Sequence, residues 1–320
     1  MLRRICGILV TIALASCSDS NAPPASNCGE TQPDPECHTI AVGGVTREYL
    51  LHVPASFSTS TGSLVIALHG VGDLGSDLRA ETGLSAKADA AGFAIAYPNA
   101  LLAPLSGFPE WNVYFAGYFG PNPPDDVAFL RKLIATLQQQ LHPDPKRIYV
   151  TGLSNGALMA HRVGVEMGDV VAAVAVVSGT LATSTATTLV PDVTQPVSVL
   201  MIHGDQDDNV PCCPFRAAAS QDDSFDYWVS SRANACVNVS TTERICSGPE
   251  TPSPLPEKHA TGCRNGVEVR FYKLLGGMHH WYKVPMNVAG QAPYNPFFDG
   301  TTGVTTTDIV WNFFAAHPKP

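Results

Sequence analysis

The segment YVTGLSNGALM, residues 149–159, places one serine between two glycines in the pattern Gly152-x-Ser154-x-Gly156. Flanking glycines permit the strained backbone and close strand–helix contact of a sharp turn from a strand into a helix, with the serine at its apex. A serine hydroxyl held there is a nucleophile once a base removes its proton. Because the chain contains 27 glycines, the pattern also arises by chance, and its meaning depends on the residues that accompany it.

Two adjacent histidines, His279 and His280, are candidates for the base, because they follow the apolar segment EVRFYKLL and a pair of glycines. An imidazole in such a loop can swing toward the serine and take its proton. His259, in a Pro-rich segment, and His317, near the chain end, follow no predicted strand. We favour His279 over His280, and one of the two is then a surface histidine.

A third group must hold the histidine, and the segment DQDDNVP after the apolar run VSVLMIHG offers Asp205, Asp207 and Asp208. One ionised carboxylate is enough to fix the tautomer of the ring and to stabilise the imidazolium. We predict that Asp207 has this role, that Asp205 braces the loop and that Asp208 faces solvent. Serine, acid and histidine then follow one another in the chain order of α/β-hydrolases.

Attack on a carbonyl also needs backbone N–H donors for the oxygen that becomes negative. Asn155, directly after the nucleophile, provides one donor, and Val71, in the glycine-rich turn after the segment SLVIALHG, provides the second. Only their main chains are required, so the side chains are incidental. We expect His69 to pin this turn as a structural residue.

These candidates all lie where predicted strands end. Short β-branched runs alternate with helical patterns, which predicts a mostly parallel sheet covered by helices on both faces. The carboxyl ends of such strands meet at one edge, where ligands bind. The predicted strands are 47–54, 63–70, 93–99, 147–153, 171–179, 197–204 and 268–275, and the predicted helices are roughly 78–91, 125–141, 155–167, 221–235 and 306–317.

The bulk composition agrees with one large α/β domain. The chain has 320 residues, 45% of them hydrophobic and 15% charged, which suits a soluble globular protein with a sizeable core. Its net charge is -9, and no cluster of Lys and Arg occurs after the first four residues, which argues against a nucleic-acid partner. No metal is predicted, because no pair of cysteines has zinc-ligand spacing, and no cofactor is predicted.

The N-terminus has the pattern of an export signal. MLRR supplies positive charge, ICGILVTIALAS is too short to span a bilayer, and small residues precede Cys17. This ending resembles a bacterial lipobox, so we predict a signal peptide at 1–17, lipidation of Cys17, a Pro/Ser-rich spacer at 18–38 and a single catalytic domain at 39–320. Lipid would then be its only link to a membrane. An ordinary secretory peptide cleaved nearby is the alternative.

Cysteine usage also favours an exported protein. Seven cysteines follow Cys17, and their spacing predicts disulfides of an oxidising compartment rather than a metal site. Cys28 with Cys37 would close a short loop, and Cys236 with Cys263 would close a longer one. The partners of the three others stay open: Cys212, Cys213 and Cys246.

Several segments together resemble the polyhydroxybutyrate depolymerase and feruloyl esterase group of α/β-hydrolases: LHGVGDLG, DPKRIYVTGLSNGALMAHR, HGDQDDNVP, GGMHHW and DIVWNFFAAH. The resemblance covers about residues 45–316. It implies an α/β-hydrolase fold with the same nucleophile, acid, base and oxyanion donors as named above. Met278 stands where a further glycine is common in that group, and Tyr282 stands where a proline is frequent. These differences alter the pocket wall, so the group's substrates are a weaker guide to the substrate of this chain.

The sequence thus predicts an exported serine esterase that forms an acyl-enzyme. Two aromatic-rich loops leave the catalytic edge, and we expect Trp111 and Trp281 to wall a site for an aryl (feruloyl-type) or short hydroxyacyl ester, including a polymeric one. A generic short-chain carboxylesterase or thioesterase is one alternative. A catalytically inactive hydrolase fold that serves as a binding module is the other. The oligomeric state does not follow from the sequence.

Overall fold

The computed structural model describes residues 28, 34–113, 119, 122–182, 191–211, 219–240, 257–274, 277–282 and 305–320. The strands of these parts are β1 (Cys37–Val42), β2 (Val45–His52), β3 (Leu64–Leu68), β4 (Ala94–Pro98), β5 (Leu101–Leu102), β6 (Pro109–Glu110), β7 (Ile148–Leu153), β8 (Ala173–Val177), β9 (Ser198–Gly204), β10 (Asn238–Ser240), β11 (Glu257–Thr261) and β12 (Val269–Leu274). The helices are α1 (Gly75–Thr82), α2 (Leu84–Ala91), α3 (Asp126–Leu141), α4 (Asn155–Glu166), α5 (Gln221–Val229) and α6 (Thr306–Ala316).

One ten-stranded sheet organises the molecule, in the order β1-β2-β4-β3-β7-β8-β9-β12-β11-β10. The six central strands, from β4 to β12, run parallel, whereas both edges are antiparallel. The prediction of a mostly parallel sheet is therefore confirmed. Because parallel strands end at the same edge, the segments after β3, β7, β9 and β12 are brought to one side.

Two apolar clusters cover the two faces of this sheet. Alternate residues of β3 illustrate the pattern, since Leu64 and Ile66 pack with α3, α4 and α5, while Val65 packs with α1, α2 and α6. The central strands are buried on both faces, so they appear in the sequence as nearly continuous apolar runs. All seven predicted strands are present, and this continuity explains the five that are buried throughout: β3, β4, β7, β8 and β9.

The helices also follow the prediction, with one break and one early end, since the helix predicted at 221–235 stops at Val229, before the extended backbone of Ser230. Asp125 caps α3 by accepting the N–H of Ala128 at 2.9 Å, and the next residue, Asp126, is buried in an ion pair with Arg47 at 2.8 Å. The helix predicted at 78–91 is two helices, because Gly83 between them has a left-handed φ of 67°.

The edges of the sheet hold what the sequence did not predict. Strand β1 begins at Cys37, so the predicted spacer boundary at residue 38 falls inside a strand. His259 lies in β11, not in an irregular Pro-rich segment, and its Nε2 is 2.7 Å from an oxygen of Glu268. Edge strands β1 and β10 are largely exposed, so they lack the apolar runs that mark the central strands.

Both predicted disulfides, Cys28–Cys37 and Cys236–Cys263, are present. Cys28, Cys37 and Glu48 lie close enough to share a metal ion, but the two sulfurs are bonded to each other and cannot act as thiolate ligands. The predicted signal peptide with Cys17 lies outside the described residues, as do the three cysteines without assigned partners. Within the described part of the chain, no helix has the length and apolar character that crossing a bilayer requires.

Candidate active site

Ser154 occupies the turn between β7 and α4 in a strained conformation, with φ 56° and ψ -122°. Its N–H donates to the carbonyl of Val177 at 3.0 Å, which holds the turn against the neighbouring strand. A Cβ on Gly152 would lie 2.1 Å from the carbonyl oxygen of Gly156, and one on Gly156 would lie 2.1 Å from that of Leu68. Both glycines are therefore required for the helix to start this close to the sheet.

Asp207 and His279 are bonded to each other at the ends of β9 and β12. Nδ1 of His279 lies 2.8 Å from Oδ2 and 3.0 Å from Oδ1 of Asp207. The backbone N–H groups of Asn209 and Val210 donate to Oδ1 at 3.0 and 2.8 Å. Because the carboxylate only accepts hydrogen bonds, Nδ1 of the ring carries the proton, and Nε2 is free to accept one.

The carboxylate of Asp207 stays ionised although its side chain is fully buried. Burial opposes the charge most strongly, but hydrogen bonds from His203, His279 and the N–H of Val210 together outweigh it and hold the pKa of Asp207 well below its usual value. Nε2 of His203 lies 3.0 Å from Oδ2. Sequence reasoning missed this residue, although it lies near the end of β9, four positions before Asp207.

The acid and histidine loops lie directly against each other. A Cβ on Gly204 would be 2.1 Å from the carbonyl oxygen of Gly277, which instead accepts the N–H of Gln206 at 2.9 Å. The N–H of Asp205 donates to the carbonyl of Leu274 at 3.1 Å, so this residue braces the loop as expected. These backbone contacts set the position of Asp207 relative to His279.

His280 takes a different position from its neighbour. Its side chain is exposed, and its carbonyl accepts a bond from the Ser178 hydroxyl at 3.4 Å. Its ring packs edge-on against Tyr282. Of the two adjacent histidines, the structure thus brings His279 to Asp207.

Ser154 and His279 line one cleft of about 690 Å³, together with Val71 and Asn155. The apolar part of the wall includes Leu153, Leu158 and Val210, and its acidic part consists of Asp73, Glu81, Glu110 and Asp208. Burial raises the pKa values of Asp73 and Glu81. Asp208 is exposed, as expected, but it is exposed to this cleft, whose wall it forms in part.

The two predicted oxyanion donors sit on either side of Ser154. Asn155 is the first residue of α4, so its N–H has no carbonyl four residues earlier to bond, and it lies at the positive end of the helix. On the other side, a Cβ on Gly70 would lie 3.4 Å from Cβ of Ser154, which shows how near the loop that carries Val71 passes.

His69 pins that loop from beneath. Its Nδ1–H donates to the carbonyl of Gly70 at 2.7 Å, and its Nε2 accepts the N–H of Ala100 at 3.0 Å. Burial lowers the pKa of His69 to about 4, so the ring is neutral and this pair of bonds fixes its tautomer. The structural role expected for this residue matches its position.

The structure corrects the prediction that Trp111 and Trp281 wall the cleft. Trp111 is 1% exposed: its indole N–H donates to the carbonyl of His69 at 3.0 Å, and its backbone N–H donates to Oδ1 of Asn155 at 2.7 Å. Trp281 is 3% exposed and donates to Oγ1 of Thr307 at 2.8 Å. Large rings gain most from burial when their N–H finds an acceptor, so both indoles support the loops from inside.

A strand–serine–helix turn, an acid–histidine pair and a mostly parallel sheet define an α/β-hydrolase. The solved acetyl xylan esterase from Aspergillus awamori is similar in fold, with a TM-score of 0.53 and 16% identity over 76% of this chain and 94% of that one. The predicted α/β-hydrolase fold is thereby confirmed.

Sequence similarity shows which family of α/β-hydrolases the chain belongs to. A family described as Esterase PHB depolymerase matches residues 47–211, which include the serine turn and Asp207. NocK of Nocardia uniformis subsp. tsuyamanensis, a protein assigned as an esterase, is 30% identical over 296 residues, which cover 86% of this chain and 80% of NocK. Feruloyl esterase B of Piromyces equi is 33% identical over 135 residues, which cover 40% of this chain but 23% of that protein. The chain belongs to the esterase PHB depolymerase family and is a hydrolase of ester bonds.

Proposed function

We propose that this esterase acts through an acyl-enzyme on Ser154. Nε2 of His279 removes the hydroxyl proton as Oγ attacks the ester carbonyl carbon, and Asp207 stabilises the imidazolium. The same ring then protonates the leaving alcohol, and water activated by it releases the acid. The observation that carries the proposal is the bond between Nδ1 of His279 and the buried, ionised Asp207, in a cleft that also contains the strained serine.

The oxygen that becomes negative during attack is proposed to bind the N–H groups of Val71 and Asn155. Support comes from the position of Asn155 at the start of α4 and from the close passage of the other loop beside Ser154. The hydrogen bonds of Trp111 to His69 and to Asn155 join the two loops that carry these donors. Their spacing therefore depends on the core beneath the cleft.

A Ser154→Ala variant tests the mechanism. It should lose turnover of p-nitrophenyl acetate and labelling by a phosphonate probe while its fold is retained. Ser178→Ala is the matched control, because Ser178 also follows a parallel strand with a positive φ of 51° but does not line the cleft. If the Ser154→Ala variant retains turnover, Ser154 is not the nucleophile.

The proposed substrates are aryl (feruloyl-type) or short hydroxyacyl esters, including polymeric ones. A cleft of about 690 Å³ with apolar residues in its wall has the size that suits a compact acyl group. Comparing kcat/KM for methyl ferulate, a hydroxybutyrate oligomer, naphthyl acetate and an acyl thioester separates the candidates. A preference for the acetate or the thioester would favour a generic short-chain carboxylesterase or thioesterase.

We also propose that the protein is exported, with lipid attached to Cys17. The positively charged start, the short apolar run and the small residues before the cysteine support this, and the two disulfides agree with an oxidising compartment. A Cys17→Ser variant should leave the membrane fraction and lose the mass of the lipid. If the wild-type chain is found free outside the cell without lipid, the N-terminus is an ordinary secretory peptide and not a lipobox.

A further inference from the structure

A second histidine contacts the same carboxylate oxygen of Asp207 as the ring of His279. His203 is the last residue but one of β9 and is 2% exposed. Its Nε2 lies 3.0 Å from Oδ2 of Asp207 and 2.8 Å from the carbonyl oxygen of Val210. Both neighbours are acceptors, so Nε2 carries a proton and shares it between them. Val210 in turn donates its own N–H to Oδ1 of Asp207 at 2.8 Å.

The other nitrogen of His203 indicates that the ring is neutral. Nδ1 is buried and has no hydrogen-bond partner among the described residues. A protonated ring would bury an unpaired N–H at this atom, which is costly, whereas a bare nitrogen only loses an acceptor contact. A neutral donor holds the carboxylate without cancelling the negative charge that His279 needs when it becomes an imidazolium.

We propose that His203 is a positioning residue, whose neutral Nε2–H fixes the plane of the Asp207 carboxylate for His279. This inference rests on the proposed function. The torsion that turns a carboxylate about its last bond is soft, so bonds to both oxygens are needed to hold it. Backbone N–H groups hold Oδ1 and His203 holds Oδ2, so the carboxylate presents both oxygens to Nδ1 of His279, at 3.0 and 2.8 Å.

Two substitutions distinguish positioning from simple packing. His203→Leu keeps an apolar bulk in the core but removes the donor, whereas a glutamine can place an amide N–H near the position of Nε2. We expect His203→Leu to lower kcat about 10- to 100-fold per active site, as for the loss of one charge-assisted hydrogen bond, with a small change in KM. His203→Gln should recover most of this loss.

His161 supplies the matched control. It is as deeply buried, on α4, but its Nδ1 accepts the indole N–H of Trp228 at 2.9 Å. His161→Leu should therefore lower stability without lowering kcat per active site. Counting sites with the phosphonate probe removes the effect of misfolded protein from every rate.

A spectroscopic measurement reports on the acid–histidine bond directly. The proton between Nδ1 of His279 and Asp207 should give a low-field NMR resonance in the wild type, which is weakened or lost in His203→Leu and restored in His203→Gln. If wild-type enzyme is active and both His203 variants keep its kcat per labelled site, the positioning role is refuted while the serine mechanism stands. Equal losses of kcat in His161→Leu would refute it as well, since they would show a general effect of core disruption. A wild type that neither turns over esters nor labels at Ser154 would instead refute the proposed function.

Discussion

Replacing Asp207 by asparagine should nearly abolish turnover, because every hydrogen-bonding neighbour of this carboxylate is a donor. Oδ1 accepts the backbone N–H groups of Asn209 and Val210, and Oδ2 accepts the ring N–H of His203. Nδ1 of His279 lies within hydrogen-bond distance of both oxygens, 2.8 Å from Oδ2 and 3.0 Å from Oδ1. An amide has the same shape but presents N–H on one side. Whichever side that is, two donors then face each other.

The backbone decides which way the amide turns. The N–H groups of Asn209 and Val210 cannot change into acceptors, so the amide oxygen should occupy the Oδ1 position and the NH₂ should face His279. Nδ1 of His279 lies closer to Oδ2 than to Oδ1, at 2.8 against 3.0 Å, so an NH₂ at the Oδ2 position favours a ring that accepts at Nδ1 and carries its proton on Nε2. That tautomer can no longer take the proton of Ser154. A wrong tautomer of this kind lowers turnover about 10⁴-fold in a serine hydrolase triad, which corresponds to about 5.4 kcal/mol.

The assay is kcat/KM for p-nitrophenyl acetate, with Asp208→Asn as the control for a change of charge at the neighbouring position. Asp208 is exposed at the cleft, so its variant should lose less than about tenfold. Circular dichroism and thermal unfolding show whether Asp207→Asn keeps its fold. A folded Asp207→Asn enzyme that retains more than about a tenth of the wild-type rate would contradict the reasoning and move the acid to Asp205 or Asp208.

Three further predictions concern the support of the site. Gly156→Ala should unfold at lower temperature and lose turnover, since its Cβ would lie 2.1 Å from the Leu68 carbonyl oxygen; a calorimetric Tm equal to that of the wild type would contradict this. Trp111→Phe should lower the free energy of unfolding by about 1–3 kcal/mol through the lost bond to the His69 carbonyl, with KM little changed, as denaturant titration and kinetics will show. A raised KM at unchanged stability would show that Trp111 contacts the substrate in the cleft. Burial lowers the pKa of His161 to about 3 from about 6.5 in an unfolded chain, so below pH 6.5 the unfolded state takes up the proton first and stability falls. His161→Leu should therefore reduce the acid slope of the free energy of unfolding by about 1.4 kcal/mol per pH unit between pH 6 and 4, and an unchanged slope would show that the ring is not buried neutral.

The central sheet was predictable because its strands are buried on both faces. Runs such as those of β3 and β8 contain apolar residues without interruption, so they can be recognised as buried strands in the sequence. Strand β1 alternates half-buried and exposed residues, and β10 is exposed throughout. Their place in the sheet depends on backbone pairing with β2 and β11, which leaves little trace in the side chains.

The residues missed or misplaced at the site share a different cause. The aromatic loop around Trp111 predicts a place for this ring in the cleft wall. Its position depends instead on two hydrogen-bond acceptors, in His69 and Asn155, which lie 42 and 44 residues away along the chain. A pattern of residue types cannot report such distances. The role of His203 was easier to predict, because a histidine near the end of the strand that precedes the acid turn is close to the acid along the chain.

Convergence of the strand ends explains why the proposed catalytic groups line one cleft, but their spacing must be held to fractions of an ångström for proton transfer. The contacts that can supply this precision lie beneath the cleft. Trp111 connects the two loops of the oxyanion donors, Gly204 and Gly277 bring the acid and histidine loops into backbone contact, and His203 reaches the acid from its own strand. Loss of any one of these contacts should therefore lower kcat more than it raises KM, whichever ester the cleft accepts.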